Sequence, residues 1–518
     1  MRRPAVLLVA LAFCLLAAGS VAPLAPTPVE PASAQAHWNE YEPDDELGLG
    51  ADDELTDEEL EAVVERSMVR VEEVRDVEFD ERPPVTVVTR EEFREEYAGM
   101  GVDPTEEQAA FENARLQALF LVGGDEDAAD VQAENLDASV AGFYSSATGE
   151  IVLVSEGEQA RVNEITLAHE LFHAYQDDEW GIAEYDRTTQ DGSGADLGLI
   201  EGDAVYVETL YAERCEADWE CVIPEGAEPG ADEGDGPEQP ANVGLLVLEF
   251  FPYDAGPAFI EHVHEQGGWD AVDALYDEPP ATAEQVIDPD AYPDEEPREV
   301  TIEDSHSGDW ERIEPEGGPD HDRMGMAAIT TMFANPLYDS GGQDWVLPAD
   351  DWFAYEGTEP PAYGAFDYGS EYATGWDGDR LHAYADGDEL GYVWTLAWEG
   401  PEDAETFAGG FDDLIEYWGG ERAEDDTYVV DDGGYEGAYH VSVEDDTVTI
   451  THAPDVDSLA EVSADAEPGT DEGAPETDED AEPDADEDDA GSEELPGFGV
   501  GAALAALAIA VALLVRRR

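Results

Sequence analysis

The chain has 518 residues, with 131 acidic against 20 basic side chains and a formal charge of −111. Every basic residue is Arg, and so sparse a basic set excludes nucleic-acid binding, which needs a positive footprint for the phosphate backbone. Carboxylates at this density repel one another in dilute buffer, but molar salt shortens the Debye length to about 3 Å. The composition is therefore that of a protein built for extreme salinity, long enough for several domains.

In chain order, Met1-Arg2-Arg3 precedes an apolar run from Ala5 to Ala18, and small residues follow. This predicts a signal peptide over 1–36, cleaved near Ala34 or Ala36. Arg2 and Arg3 hint at twin-arginine export, although their flanks fit that motif poorly, and Phe13 disfavours a lipobox at Cys14. Residues 37–55 are acidic and expected to be unstructured. Thr56 to Arg75 then reads as an amphipathic helix, with Thr56 as N-cap and Glu59 in the capping-box place. A strand at 84–89, a short helix at 90–97 and a helix opened by Asp103-Pro104 and running to Phe120 follow. Residues 141–144 and 150–154 read as a hairpin turning at Thr148-Gly149. Its second strand is expected to be the edge that holds an extended peptide.

The stretch around which the chain is organised is His169-Glu170-Leu171-Phe172-His173. On a helix, positions i and i+4 lie one turn apart on the same face, so both imidazoles can address one point. Two imidazoles suit Zn²⁺ and leave room for a third protein ligand and a water. Glu170 stands beside His169 as general base, the arrangement of a zinc peptidase. Leu199 to Glu208 reads as a second helix, whose Glu201 comes 28 residues after His173. A surface helix carrying two histidines and no metal is the alternative, and apolar Ile165, Leu167, Ala168, Leu171 and Phe172 speak against it.

Cys215 and Cys221 either close one small disulfide loop outside the cell or remain as two reduced thiols; their spacing is a poor one for zinc. Residues 224–240 are a Pro/Gly/acidic loop. Two apolar helices are expected at 242–251 and 257–266, and a short one opens at 279–285. An acidic, Pro-rich stretch at 288–298 closes this domain (56–298). The final region, 299–455, reads as a smaller α+β unit. Strands are expected at 379–385, 391–398, 436–442 and 446–451, with a helix at 403–418. Arg380, in Gly375-Trp376-Asp377-Gly378-Asp379-Arg380, is expected to be paired internally, and no catalytic constellation is visible there.

Residues 456–495 are expected to form an acidic low-complexity stalk, most strongly biased from 464 onward. Pro496-Gly497-Phe498, an apolar run from Gly499 to Val515, and Arg516-Arg517-Arg518 end the chain. The run is just long enough to span a bilayer, with the arginines inside. This tail (496–518) resembles the PGF-CTERM sorting signal of haloarchaeal surface proteins. The resemblance implies processing by an archaeosortase, loss of the apolar run and attachment to membrane lipid. The alternative is a permanent single-span anchor, and in both cases the body faces outward.

Several stretches together resemble a prokaryotic group of gluzincin-like proteins that includes a haloarchaeal surface-protein family. They are H-E-L-F-H-A-Y-Q-D (169–177), I-E-G-D-A (200–204), F-F-P-Y (250–253), G-G-W-D-A-V (267–272), P-P-A-T-A-E-Q (279–285) and G-W-D-G-D-R (375–380). The resemblance implies a zincin fold and makes Glu201 the third zinc ligand, beside His169 and His173, with Glu170 catalytic. One departure is Asp288-Pro289, where His-Pro would be expected. The sequence thus predicts an α+β, zincin-like metallopeptidase at the cell surface of a halophilic archaeon, cleaving an extracellular peptide or protein. The rival is a catalytically silent surface-layer or adhesion protein that keeps the zincin fold. Tyr206, Tyr253, His262 and His264 are candidates for stabilising an oxyanion that packing explains equally well.

Overall fold

The computed structural model describes residues 41–50, 55–96, 104–155, 161–182, 185, 188–224, 242–315, 318–354, 363–424 and 426–466. The expected signal peptide, the stalk beyond residue 466 and the sorting tail lie outside the described residues. The fold is mixed α+β.

Local signals place the first elements. In α1 (Asp57–Arg75) the Thr56 hydroxyl accepts from the Glu59 amide while Glu59 accepts from the Thr56 amide (2.9 Å), a reciprocal cap that satisfies two otherwise orphan donors. β1 (Val85–Thr89), α2 (Arg90–Glu96) and α3 (Glu106–Ala118), capped by Thr105, follow as predicted. α4 (Ala128–Ser139) was not foreseen. β2 (Gly142–Ser145) and β3 (Glu150–Ser155) form the expected hairpin.

The hairpin's role is corrected. The three-stranded sheet has the order β1-β3-β2, with β1 parallel and β2 antiparallel to β3. β3 is therefore the middle strand, and β2 is the edge beside the histidine helix.

That helix, α5 (Glu164–Trp180), is followed by α6 (Gln190–Ala217) and α7 (Val243–Gly267). α7 replaces the two helices expected at 242–251 and 257–266. The helix runs through both Pro252 and Pro257. It is long and apolar enough to cross a bilayer, but 78% of its most apolar window is buried inside the protein, so it is a core helix. α8 (Trp269–Leu275) and α9 (Ala283–Ile287) complete this part.

The remainder is a seven-stranded antiparallel sheet with helices. Its elements are β4 (Glu311–Arg312), α10 (Gly325–Asp339), α11 (Ala349–Trp352), β5 (Trp376–Asp386), β6 (Glu389–Trp398), α12 (Pro401–Tyr417), β7 (Gly420–Glu424), β8 (Thr427–Val430), β9 (Gly437–Glu444), β10 (Thr447–Ala453) and α13 (Val456–Val462). The strand order is β4-β5-β6-β10-β9-β8-β7. α13 falls where the stalk was expected to begin. Leu459 and Val462 are fully buried against the sheet, so the folded part extends to about residue 466. Residues 41–50, expected to be unstructured, are likewise held. The Pro43 carbonyl accepts from Arg70 (2.8 Å) and that of Asp45 from Arg66 (3.1 Å), while Leu47 and Leu49 pack on the core.

Two cores meet at α6. One lies under the histidine helix and joins Val63 and Met68 of α1, Ile151 and Leu153 of β3, Leu171 and Phe172 of α5, and Ala204 and Val207 of α6. The other runs from Phe111 through Leu199 and Ile200 of α6, Phe251 of α7 and Phe333 of α10 to Trp394 and Ile450 of the large sheet. This second core crosses residue 298 without a gap. The expected boundary between a 56–298 domain and a 299–455 domain is a boundary in sequence only.

Candidate metal centre

The start of α5 is fixed by a buried ion cluster. Glu164, its first residue, accepts from Arg66 (2.8 Å), Arg70 (2.6 Å), the Tyr211 hydroxyl (2.6 Å) and the Val222 amide (2.7 Å). Cys215 and Cys221 are bonded as a disulfide, and Arg70 lies over Trp219 within that loop, 4.7 Å from the ring centre. α1, α5 and the end of α6 are thereby tied at one point, which sets the height of the histidines against α6.

His169 and His173 face α6 one turn apart. Their Nε2 atoms are 2.9 Å from each other, and Glu201 Oε2 is 3.1 Å from His173 Nε2 and 3.4 Å from His169 Nε2. Among the described residues this trio is the one group of metal-type side chains whose ligand atoms all converge. A tetrahedral zinc with ligands at 2.0–2.1 Å sets neighbouring donors about 3.3 Å apart, so the triangle matches that ion in size. Two inward-facing imidazole lone pairs and a carboxylate also suit zinc chemically.

The outer nitrogens are held as well. His169 Nδ1 donates to Glu208 Oε2 (3.1 Å) and His173 Nδ1 to Gln176 Oε1 (2.7 Å), which turns both Nε2 atoms towards the centre. Gln176 in turn donates to the Ile200 carbonyl (2.9 Å) and the Tyr276 hydroxyl (2.7 Å), and Tyr276 donates to Asp203 (2.9 Å). Asp203 is paired with Arg75 at 3.0 Å. The sequence reading missed Glu208 and Gln176, although both spacings were readable. Glu208 comes two turns after Glu201 on α6, and Gln176 three residues after His173, so each shares its ligand's face.

Glu170 is fully buried, and the polar group that faces its carboxylate is the backbone amide of Tyr144. It lies against β2, where a Cβ on Gly142 would come within 3.2 Å of Oε1. Burial, with Glu201 and Glu208 nearby, pushes its pKa up to about 8. Burial works against a charged His169, but the hydrogen bonds to Glu201 and Glu208 outweigh it and hold that ring at about 10. Glu201 is drawn down to about 2, because the two histidines overcome its own desolvation. The carboxyl groups of Glu170, Glu201 and Glu208 thus favour positive charge at these imidazoles, as a proton or as a metal ion in its place.

The oxyanion candidates are engaged elsewhere. Tyr206 pairs with His264 (3.0 Å), which stacks on Trp269; His262 meets Gln266, and Tyr253 stacks on Phe250 in the core. Arg380 donates to the Val300 carbonyl (2.7 Å), the internal pairing expected. Its neighbour Asp379 is the buried keystone, accepting from the Met324 and Gly325 amides and from Trp376 and Trp394. Asp288 caps the end of α9.

Residues 311–463 match the family described as a domain of unknown function, DUF8575. The match runs from β4 through α13 and leaves the metal centre outside it. No curated protein and no solved structure is matched.

Glu201 is placed by a backbone-to-backbone helix crossing. A Cβ on Gly202 would stand 2.6 Å from the Gly256 carbonyl carbon of α7, and one on Gly256 2.4 Å from the Gly198 carbonyl oxygen. Gly202→Ala is therefore expected to force the two helices apart, lowering stability by about 1–3 kcal/mol and weakening metal binding through the neighbouring Glu201. Denaturant unfolding and metal titration in high salt would measure both, and unchanged values would show that the crossing yields easily.

Proposed function

We propose that this chain is a zinc-dependent, gluzincin-like metallopeptidase displayed at the outer face of the cell membrane. The observation that carries this reading is the convergence of His169, His173 and Glu201 from α5 and α6, with Glu170 alongside. Zinc, when bound, supplies a Lewis acid that polarises a carbonyl and lowers the pKa of a water. Glu208 and Gln176 orient the two imidazoles. Glu170 takes a proton from the attacking water and hands it to the leaving amine. The β2 edge, antiparallel to β3 and touching Glu170 through Gly142, offers an extended peptide a backbone to pair with.

The apolar segment after Met1-Arg2-Arg3 and the likeness of the tail to a sorting signal support the surface location. The charge balance argues for a halophilic archaeal setting. A second reading, a surface-layer or adhesion protein that keeps the centre without turnover, is favoured by one fact. His169, Glu170, His173 and Glu201 are each no more than 1% exposed.

Metal analysis of the full chain purified gently in high salt is expected to give about one equivalent of zinc. Less than about a tenth of an equivalent would overturn the proposal at its first step. A peptide-library digest under the same conditions separates the two readings, with cleavage expected for the enzyme.

A further inference from the structure

The side of the large sheet away from its main core carries a second cluster of side chains, inside the 311–463 match. Along β5, Leu381 and Ala383 face the main core, so Arg380, His382 and Tyr384 share the opposite face. Arg312 of β4 stands directly across from Tyr384, which makes His382 its diagonal neighbour on that face. The bridge between Asp322 and Leu381 turns Asp322 inward, and so His321 outward beside the same pair. Register alone therefore assembles two arginines and two histidines in a chain that has only 20 basic residues in all.

These groups are not satisfied by one another. His382 is 3% exposed, yet neither of its ring nitrogens has a hydrogen-bond partner, and the buried Arg312 Nε has none. Buried polar atoms without partners are rare and costly, and three on one face call for a ligand. Arg312 meets only loose or shared acceptors: the exposed Glu314 carboxylate lies 3.7 Å away and that of Asp320 3.4 Å away, and the guanidinium also donates to the Asp320 carbonyl. Asp320 is itself held by His321 (2.7 Å), and Asp304 by His306 (2.6 Å). Arg312 and His321 keep 16% and 30% of their side chains exposed, beside the buried His382. Burial, then Arg312 and Arg380, keep His382 neutral at ordinary pH, with a pKa of about 4, so it can donate one N–H.

We propose that this face binds a tetrahedral oxyanion, phosphate or sulfate, free or as a monoester, between Arg312, Arg380 and His382, with His321 at the rim. Donors from two strands at different heights suit a tetrahedral ion better than a planar carboxylate, and guanidinium groups are the strongest donors to such oxygens.

The test is a titration of the full chain, labelled at histidine, with sodium phosphate in high salt at constant sodium. The His382 imidazole resonances are expected to shift and saturate. Arg380→Gln and Arg312→Gln are each expected to raise the half-saturating concentration about tenfold. Glycerol phosphate in place of inorganic phosphate distinguishes the sources: saturation with both admits an ester, and saturation with inorganic phosphate alone marks a free ion. A wild-type response that does not saturate, or one equal to that of sodium acetate, would overturn the proposal. The wild-type titration decides this even if a variant fails to fold.

Discussion

Glu170→Gln is expected to lower peptide cleavage about 10²–10⁴-fold, the usual contribution of a positioned general base, while zinc content stays at the wild-type level. The amide matches the carboxylate in shape, so the packing against Gly142 survives. The amide oxygen can keep the hydrogen bond from the Tyr144 backbone, and the site already favours an uncharged group, holding the Glu170 pKa at about 8. The variant should therefore melt no lower than wild type. Parallel digests, zinc analysis and thermal melts in high salt would check all three. Undiminished cleavage by the variant would remove Glu170 from the chemistry, and loss of zinc would mean it supports the ligands instead.

The second large effect is unfolding in dilute salt. Lowering NaCl from ~3 M to ~0.1 M lengthens the Debye distance from under 3 Å to about 10 Å, so each carboxylate feels many more neighbours. Native domains are stable by only about 5–15 kcal/mol, and a chain of charge −111 is expected to cross that margin and lose its near-ultraviolet circular dichroism. Acid should partly reverse the loss, for a reason visible in the interior. Burial raises Glu249 to about 8, and Asp254 and Asp322 to about 7, against 4.5 and 3.8 for the free groups. A carboxyl whose pKa is higher in the folded state binds its proton there first. Stability from these groups therefore grows as pH falls from about 8 towards 4.5, and is lost as pH rises back through the folded values. Protonation of surface carboxylates acts in the same direction near the lower end. A cooperative melt that is the same at both salt concentrations, or dilute-salt stability that declines between about pH 7 and 5, would contradict this account.

Much of the candidate site was legible because its signals are local. The spacing of His169 and His173 fixes one helical face, and the cap at Thr56 announces its helix within four residues. What escaped was set by contacts distant in sequence. α10 is buried on every side from Gly325 to Leu337, so no polar face gives it a period to read. β3 resembled an edge until its parallel pairing with β1, more than sixty residues earlier, placed it in the middle. α7 is one helix and not two because packing against α6 and α10 outweighs the local cost of its two prolines. Glu208 could have been read, but only once Glu201 had been taken as a ligand.

The core that crosses residue 298 bears on how this protein can be cut and how it can have evolved. An expression product ending near 298 would keep every group of the metal centre. It would also lay bare apolar residues of α6 and α7, among them Phe251 and Val247, against which α10 and Tyr368 now pack. Such a fragment would aggregate before its activity could be assayed. The converse holds for the region after 298: Phe120 lies inside the ring formed by Phe411, Tyr435 and Tyr439, so the large sheet closes on a side chain it does not encode. Cutting or exchanging either half therefore exposes apolar side chains that the other half covers.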